Sequence, residues 1–206
     1  REIHGDGISY KSYNEPGFFD VKCTNCHTSL NQSASHKNHK DKLDCAVCHT
    51  AETVTCLNCH VEARLEKKKA KIPQLKNMFF LVNHDGKIKL ANMLSYVYKN
   101  KTMITFAPAF SHSIKKDGKK CADCHGSQIV KDIANNKFRL TRWENNEMKG
   151  AEGVIPVLEG FNWNLVYLNW IDSTWKRIEN PPEPLLNYSG YCTPITKQQF
   201  LKLTKK

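Results

Sequence analysis

The sequence predicts a mostly irregular fold with short helices and a few β-hairpins, in which covalently bound groups replace a conventional apolar core. One short cysteine motif occurs four times and uses eight of the nine cysteines. Three of its copies lie between Val21 and Val61, which leaves too little chain for an apolar core between them. Residues 1–20 are polar and contain three glycines and a proline, so we expect them to be irregular.

The repeated motif is Cys-x-x-Cys-His. Two thiols at this spacing can each form a thioether with one vinyl group of a single haem, while the adjacent histidine binds the iron. The four copies therefore predict four covalently bound haem c groups, so the expected fold is haem-cored. The thioether-forming residues would be Cys23, Cys26, Cys45, Cys48, Cys56, Cys59, Cys121 and Cys124. The proximal iron ligands would be His27, His49, His60 and His125.

Zinc sites and disulfides also use paired cysteines. Neither requires a histidine directly after the second cysteine in every copy, so the motif favours haem. Attachment of this kind takes place outside the cytoplasm. We therefore expect a secreted protein, extracellular or periplasmic, whose signal peptide has been removed.

Five further histidines could bind the irons from the opposite, distal side. In descending order of preference they are His39, His112, His36, His84 and His4. His36 and His39 stand three residues apart, so on one helical turn they could serve two different haems. Four distal ligands are needed, so one histidine is expected to be surplus. An iron with two histidine ligands has no position for a substrate, and the count therefore favours an electron carrier over an enzyme.

Methionine is the competing distal ligand and would raise the reduction potential of a haem. Packing or surface exposure is the simpler explanation for each of the four methionines, which are Met78, Met93, Met103 and Met148. The ninth cysteine, Cys192, has no motif partner. We expect it to be a small buried apolar residue, with an intersubunit disulfide as the alternative.

A helix end and a hairpin are predicted between the third and fourth motifs. Glu62–Lys71 is highly charged and ends shortly before Pro73, which is typical of a solvated helix end. Asn77–Asn83 and Lys87–Tyr98 are rich in apolar and aromatic residues, and an Asp-Gly pair lies between them. This arrangement predicts a β-hairpin.

The chain divides into a tetrahaem-binding region, residues 1–132, and a haem-free region, residues 133–206, which we expect to form one compact unit. The second region has no histidine and holds all four tryptophans. Phe161–Tyr167 alternates as a strand does, and residues 195–206 have the pattern of a short terminal helix. The tryptophans would cover one side of the haems or present aromatic anchors to another subunit.

The chain carries 31 basic and 20 acidic residues, a net charge of +11. Such a charge would ordinarily suggest an anionic partner such as nucleic acid. Four haems bring about eight propionate carboxylates, so we expect lysines to neutralise propionates and no nucleic acid to bind. The longest apolar runs are far shorter than the roughly 20 residues that a membrane span requires.

These features resemble the multihaem c-type cytochromes, in particular secreted tetrahaem members. The resemblance covers residues 1–130 and is carried by His4-Gly5-Asp6-Gly7, by His36-x-x-His39 with Asp41-Lys42-Leu43-Asp44-Cys45, and by the third motif at Cys56–His60. It implies a fold of the multihaem cytochrome c type. The last seventy or so residues are not accounted for by it.

Some tetrahaem proteins of this size resemble extracellular cytochrome filaments, in which subunits polymerise and a neighbour can supply a distal histidine. The long haem-free region and the arm with His4 favour this interpretation, because a heterologous contact that does not close generates an open polymer. The expected partners are then further copies of the chain or other cytochromes. A soluble periplasmic electron shuttle is the alternative. A multihaem reductase is less favoured, since such enzymes need an open iron, often with lysine in place of the motif histidine.

Overall fold

The computed structural model of the protein describes residues 9–12, 15, 18, 22–60, 74–99, 101–111 and 113–205, and of His60 it describes the backbone only. The distal candidates His4 and His112 and the predicted helix end at 62–71 lie outside these residues. Six short helices occur in the described ranges. They are α1 (Cys23–Cys26), α2 (Ala34–His39), α3 (Cys45–His49), α4 (Cys121–Cys124), α5 (Gln128–Ala134) and α6 (Lys197–Leu203).

The same ranges contain more strand than helix. The strands are β1 (Val54–His60), β2 (Gln74–Lys76), β3 (Met78–His84), β4 (Lys87–Tyr98), β5 (Lys101–Pro108), β6 (Thr141–Glu144), β7 (Glu147–Gly150), β8 (Gly153–Pro156), β9 (Leu168–Ile171), β10 (Thr174–Arg177) and β11 (Leu185–Tyr188).

The longest strand, β4, organises a mixed sheet of seven described strands that curls into half a barrel. One edge of β4 pairs with β5, antiparallel. The other edge is shared by β3, which is antiparallel to the first part of β4, and by β1, which is parallel to the last part. β2 joins β1, β8 joins β3 and β11 joins β5. The sheet therefore takes strands from both of the regions that the sequence distinguishes.

The predicted hairpin around the Asp-Gly pair is confirmed as β3–β4. Asp85 and Gly86 both have positive φ, 51° and 70°, as the two central residues of a type I′ turn require. In two further hairpins, β6–β7 and β9–β10, both turn residues also have positive φ. Two-residue turns of this kind match the right-handed twist of the strands they join.

An apolar core packs between the sheet and the residues that follow position 133. Phe80, Phe106 and Trp163 lie at its centre with ring centroids 5.0–6.1 Å apart, and each is at most 2% exposed. Cys192 is part of the same cluster, 3% exposed, and its thiol donates to the carbonyl of Ser189 at 3.1 Å. The prediction that Cys192 is a small buried apolar residue is confirmed.

The predicted fold class, a mostly irregular chain cored by haem, is wrong. A mixed sheet dominates the structure, and aromatic and aliphatic side chains form its core. The prediction depended on the segment between Val21 and Val61, where three motifs leave little room for apolar residues. It assumed that the rest of the chain also lacks an apolar core. Strand β5 shows what it missed, because its residues alternate between buried and more exposed along the strand.

The haem-free region contains one confirmed element and one that differs. The terminal helix is confirmed as α6, whose capping box is formed by Thr196 and Gln199. The strand expected at Phe161–Tyr167 is wrong, because this segment has no strand pairing and Asn164 adopts a positive φ of 45°. Trp163 and Tyr167 are nevertheless buried, so the alternation reflects packing of an irregular segment.

None of the described helices is both long enough and apolar enough to cross a membrane.

Candidate functional site

The second and fourth motifs form the short helices α3 and α4. Asp44 caps α3, since its carboxylate accepts the backbone N–H of Ala46 at 2.9 Å. At the start of α4 the Asp123 carboxylate accepts the N–H of Lys120 at 2.7 Å. Within one helical turn, residues three apart share a face, so the two cysteines of each motif project to the same side.

Helix α2 brings His36 to the second motif. Ser33 caps this helix by accepting the N–H of His36. The ring of His36 lies opposite the ring of His49, with centroids 6.2 Å apart and planes 25° from parallel. The two imidazole rings therefore face each other across the space between α2 and α3.

The same helix brings His39 to the fourth motif. Its ring lies 6.0 Å from the ring of His125, at an interplanar angle of 43°. Two imidazoles that bind one metal ion from opposite sides, at about 2.0 Å each, have centroids about 6.3 Å apart. The centroid separations of both histidine pairs therefore match those of two histidines that would hold one metal ion between them. The prediction that His36 and His39 share a helical turn is confirmed, and they face different motifs.

All four of these histidines are oriented by their Nδ1 atoms. Nδ1 of His49 bonds the carbonyl of Lys115 at 3.0 Å, and Nδ1 of His125 bonds that of Lys202 at 2.9 Å. On α2, Nδ1 of His39 bonds the carbonyl of Ser35 at 3.0 Å. A carbonyl only accepts, so each Nδ1 carries the hydrogen, and Nε2 keeps the lone pair with which imidazole binds a metal.

The fourth histidine, His36, has a similar partner. Its Nδ1 lies 2.7 Å from Oδ1 of Asn31 and 3.0 Å from the carbonyl of the same residue. In a metal-binding histidine, a hydrogen bond from the ring nitrogen that does not bind the metal fixes the tautomer and the ring orientation.

A cavity of about 430 Å³ opens between α2 and α4, and its walls include His39, Cys121, Cys124 and His125. One wall is apolar and belongs to a second hydrophobic cluster, whose members at the cavity include Leu43, Val47, Leu81, Ile88, Ile195 and Leu203. Four lysines stand around the cavity: Lys42, Lys119, Lys120 and Lys202. An apolar wall with cationic side chains at its margin suits a flat apolar ring that carries carboxylates.

The cysteines of three motifs lie close to one another. Burial and then the neighbouring thiol of Cys23 raise the pKa of Cys45. Burial and then the charge of Cys48 raise the pKa of Cys124 to about 12. Surroundings that disfavour a charged sulfur suit a thioether, which carries no charge. Among the described residues, no three His, Cys, Asp or Glu side chains are grouped as a metal site.

The third motif lies on strand β1. A β-bulge shifts the pairing with β4 between Cys56 and Cys59, and Asn58 between them has a positive φ of 53°. The side chain of Asn58 is fully buried and accepts the N–H of Leu168 at 3.0 Å. Both thiols lie near Tyr96. Burial, and then the charges of Cys59 and Cys56, raise the pKa of Tyr96. A bulge re-aims side chains, which lets two cysteines three residues apart share one face of a strand.

The remaining predicted site residues lie apart from these pairs. Cys23 and Cys26 of the first motif are exposed on α1, and His27, which follows this helix, is also exposed. His84 is 5% exposed and lies at the end of β3, opposite Lys87 of the hairpin. It is not among the residues of the cavity between α2 and α4. The side chain of His60, and all of His4 and His112, lie outside the described part of the chain.

Gly118 leaves space beside the second motif. A Cβ placed on it would lie 3.4 Å from Cβ of Cys48 and 3.6 Å from Nε2 of His49, which is ordinary van der Waals contact. We expect Gly118→Ala to be tolerated, whereas Gly118→Leu should collide with His49 and lower the free energy of unfolding by about 1–3 kcal/mol. Denaturant unfolding of the two variants measures this difference. An equal free energy of unfolding for the two variants would contradict the placement of Gly118 beside His49.

Comparison with protein-family models, with curated proteins and with solved structures finds no match to this chain.

Proposed function

We propose that the protein is a multihaem electron carrier, in which c-type haems are attached at the four motifs and held between pairs of histidines. The observation that carries the proposal is the spacing of two histidine pairs. His36 faces His49 at 6.2 Å and His39 faces His125 at 6.0 Å, each with one member from a Cys-x-x-Cys-His motif. When bound, haem supplies a one-electron Fe(III)/Fe(II) couple.

The residues around the pairs support this chemistry. The motif cysteines would anchor each haem, and carbonyls such as those of Lys115 and Lys202 would hold the proximal rings in position. A histidine on each side of the iron leaves no position for a substrate. The two pairs therefore support electron transfer over catalysis.

The proximity of the motifs supports transfer within one chain. Cys23 of the first motif lies near Cys45 of the second, and Cys48 of the second lies near both cysteines of the fourth. Cofactors attached to neighbouring sulfurs would lie near one another. The first, second and fourth motifs would then form a continuous path.

The decisive experiment is production in a host that attaches c-type haem. We expect the intact mass to exceed that of the polypeptide by four haems and the oxidised absorption spectrum to be low-spin. The double variant Cys121→Ala/Cys124→Ala should lose one haem of the four. A polypeptide of unmodified mass would contradict the proposal, and a large high-spin fraction that binds cyanide would favour the reductase alternative.

The finer part of the proposal is that copies of this secreted chain assemble into an extracellular filament. Strand β11 supports it, because it lies at the edge of the described sheet and its Leu185 is 68% exposed. An edge strand that presents apolar side chains is a template for contact with another chain. Electron microscopy of the purified protein tests this part. Filaments are expected, whereas monodisperse particles would favour a soluble periplasmic shuttle.

A further inference from the structure

Lys119 lies between the second and the fourth motif. Its backbone N–H donates to the carbonyl of Cys48 at 3.0 Å, and its ammonium donates to the carbonyl of Thr50, the residue after His49, at 3.1 Å. Two residues further along the chain, Cys121 begins the fourth motif. The side chain lines the cavity between α2 and α4 and also a second, more open cavity of about 530 Å³.

The ammonium of Lys119 is held in place by an aromatic ring. Nζ lies 3.6 Å from the ring centroid of Phe79, which is 7% exposed. A cation above a buried ring is attracted to the negative face of the π system. With the hydrogen bond to Thr50, this contact fixes the charge in one position.

The charge of Lys119 is not cancelled by an adjacent carboxylate. None of the ion pairs among the described residues includes it. The charge of Lys115 acts against that of Lys119 and the charge of Asp123 favours it, but the carboxylate of Asp123 already accepts the N–H of Lys120. Burial and then Lys115 lower the pKa of Lys119, which shows that its surroundings do not favour the charge. A partly buried cation without a carboxylate partner carries a cost that an anionic group nearby would offset.

We infer that Lys119 is a positioning residue that raises the reduction potentials of the haems at the second and fourth motifs. This inference rests on the proposed function. Reduction lowers the net charge of a haem by one, so a fixed cation nearby favours the reduced form. Lys119 is hydrogen-bonded to Cys48 of one motif and lines the same cavity as Cys124 of the other, so one side chain would raise the potentials of two haems.

The test compares neutral and charged replacements in the fully loaded protein. Lys119→Gln removes the charge and keeps a donor for the carbonyl of Thr50. A unit charge about 10 Å away, at an effective dielectric constant of about 20, changes an equilibrium constant by roughly tenfold. We therefore expect two of the four midpoint potentials to fall by about 59 mV, the tenfold value for a one-electron couple. Redox titration followed by electron paramagnetic resonance resolves the individual haems.

Two control variants separate charge from structure. Lys119→Arg keeps the charge and should keep all four potentials close to those of the unsubstituted protein. Lys116→Gln removes an exposed lysine from the same loop and should leave the potentials unchanged. The inference is overturned by unchanged potentials in Lys119→Gln, or by an equal fall at all four haems.

Haem content distinguishes the remaining outcomes. Loss of a haem in both Lys119→Gln and Lys119→Met would overturn the inference, because it would assign Lys119 to folding or attachment. If the unsubstituted protein itself carries no haem, the proposed function fails. If it carries four low-spin haems and only the predicted shift is missing, the inference about Lys119 fails alone.

Discussion

Replacement of His39 with alanine should convert one haem of the four from low-spin to high-spin. His39 faces His125 across 6.0 Å, and its Nδ1 is bonded to Ser35, so we expect its Nε2 to be the distal ligand at the fourth motif. Without it the iron would have five ligands, and the cavity of about 430 Å³ would admit a small exogenous ligand. About a quarter of the total haem should then be high-spin and bind cyanide, as measured by absorption and electron paramagnetic resonance.

His84 provides the matched control for this variant. It was a distal candidate on sequence grounds, but it lies at the end of β3 and is not part of the cavity wall. His84 is therefore not expected to be the distal ligand at the fourth motif. His84→Gln should leave the haem at the fourth motif low-spin, although it changes a buried residue. The opposite result, high-spin haem in His84→Gln and none in His39→Ala, would contradict the assignment of the distal ligand.

Replacement of Phe106 with alanine should cost about 3–5 kcal/mol of unfolding free energy, as expected for truncation of a large buried aromatic residue. Phe106 is fully buried on β5, and its ring lies 5.4 Å from Phe80, 5.0 Å from Trp163 and 5.9 Å from Tyr188. These contacts join the sheet to the residues after position 133. Denaturant unfolding followed by circular dichroism measures the loss at constant haem content.

An exposed residue on the neighbouring strand serves as the comparison. Leu185 of β11 is 68% exposed, so Leu185→Ala should change the unfolding free energy by less than about 0.5 kcal/mol. A cost below about 1 kcal/mol for Phe106→Ala would show that the aromatic cluster contributes little to stability. The two variants together therefore test whether side chains, in addition to any bound group, form the core.

Local turn chemistry explains which elements could be predicted. Asp85-Gly86 predicted the β3–β4 hairpin, because glycine adopts positive φ without strain. Asn145-Asn146 and Asp172-Ser173 form the same kind of two-residue turn, with φ of 51–61°. Asn and Asp tolerate this conformation better than most residues, so the Asn pair was a signal that sequence reasoning could have used. Ser173 is a weaker signal, and its turn depends on the pairing of β9 with β10.

The seven-stranded sheet was not predictable in the same way. β8 pairs with β3 and β11 pairs with β5, and both pairs join segments distant in sequence. Parallel pairing depends on how the intervening chain folds, and no local pattern specifies it. Irregular segments such as the one around Trp163 are buried by this packing, so their alternation imitates a strand.

The amino-acid sequence by itself determined the chemistry that the candidate site offers: four Cys-x-x-Cys-His motifs, and two histidines one helical turn apart at His36 and His39. These are properties of residue type and short spacing, which a linear chain specifies directly. Only the tertiary structure decided which histidines face each other, that His84 lies away from the cavity, and that Lys119 lies between two motifs. These relations join residues far apart in the chain, and they exist because the sheet and its apolar core hold α2, α3 and α4 together.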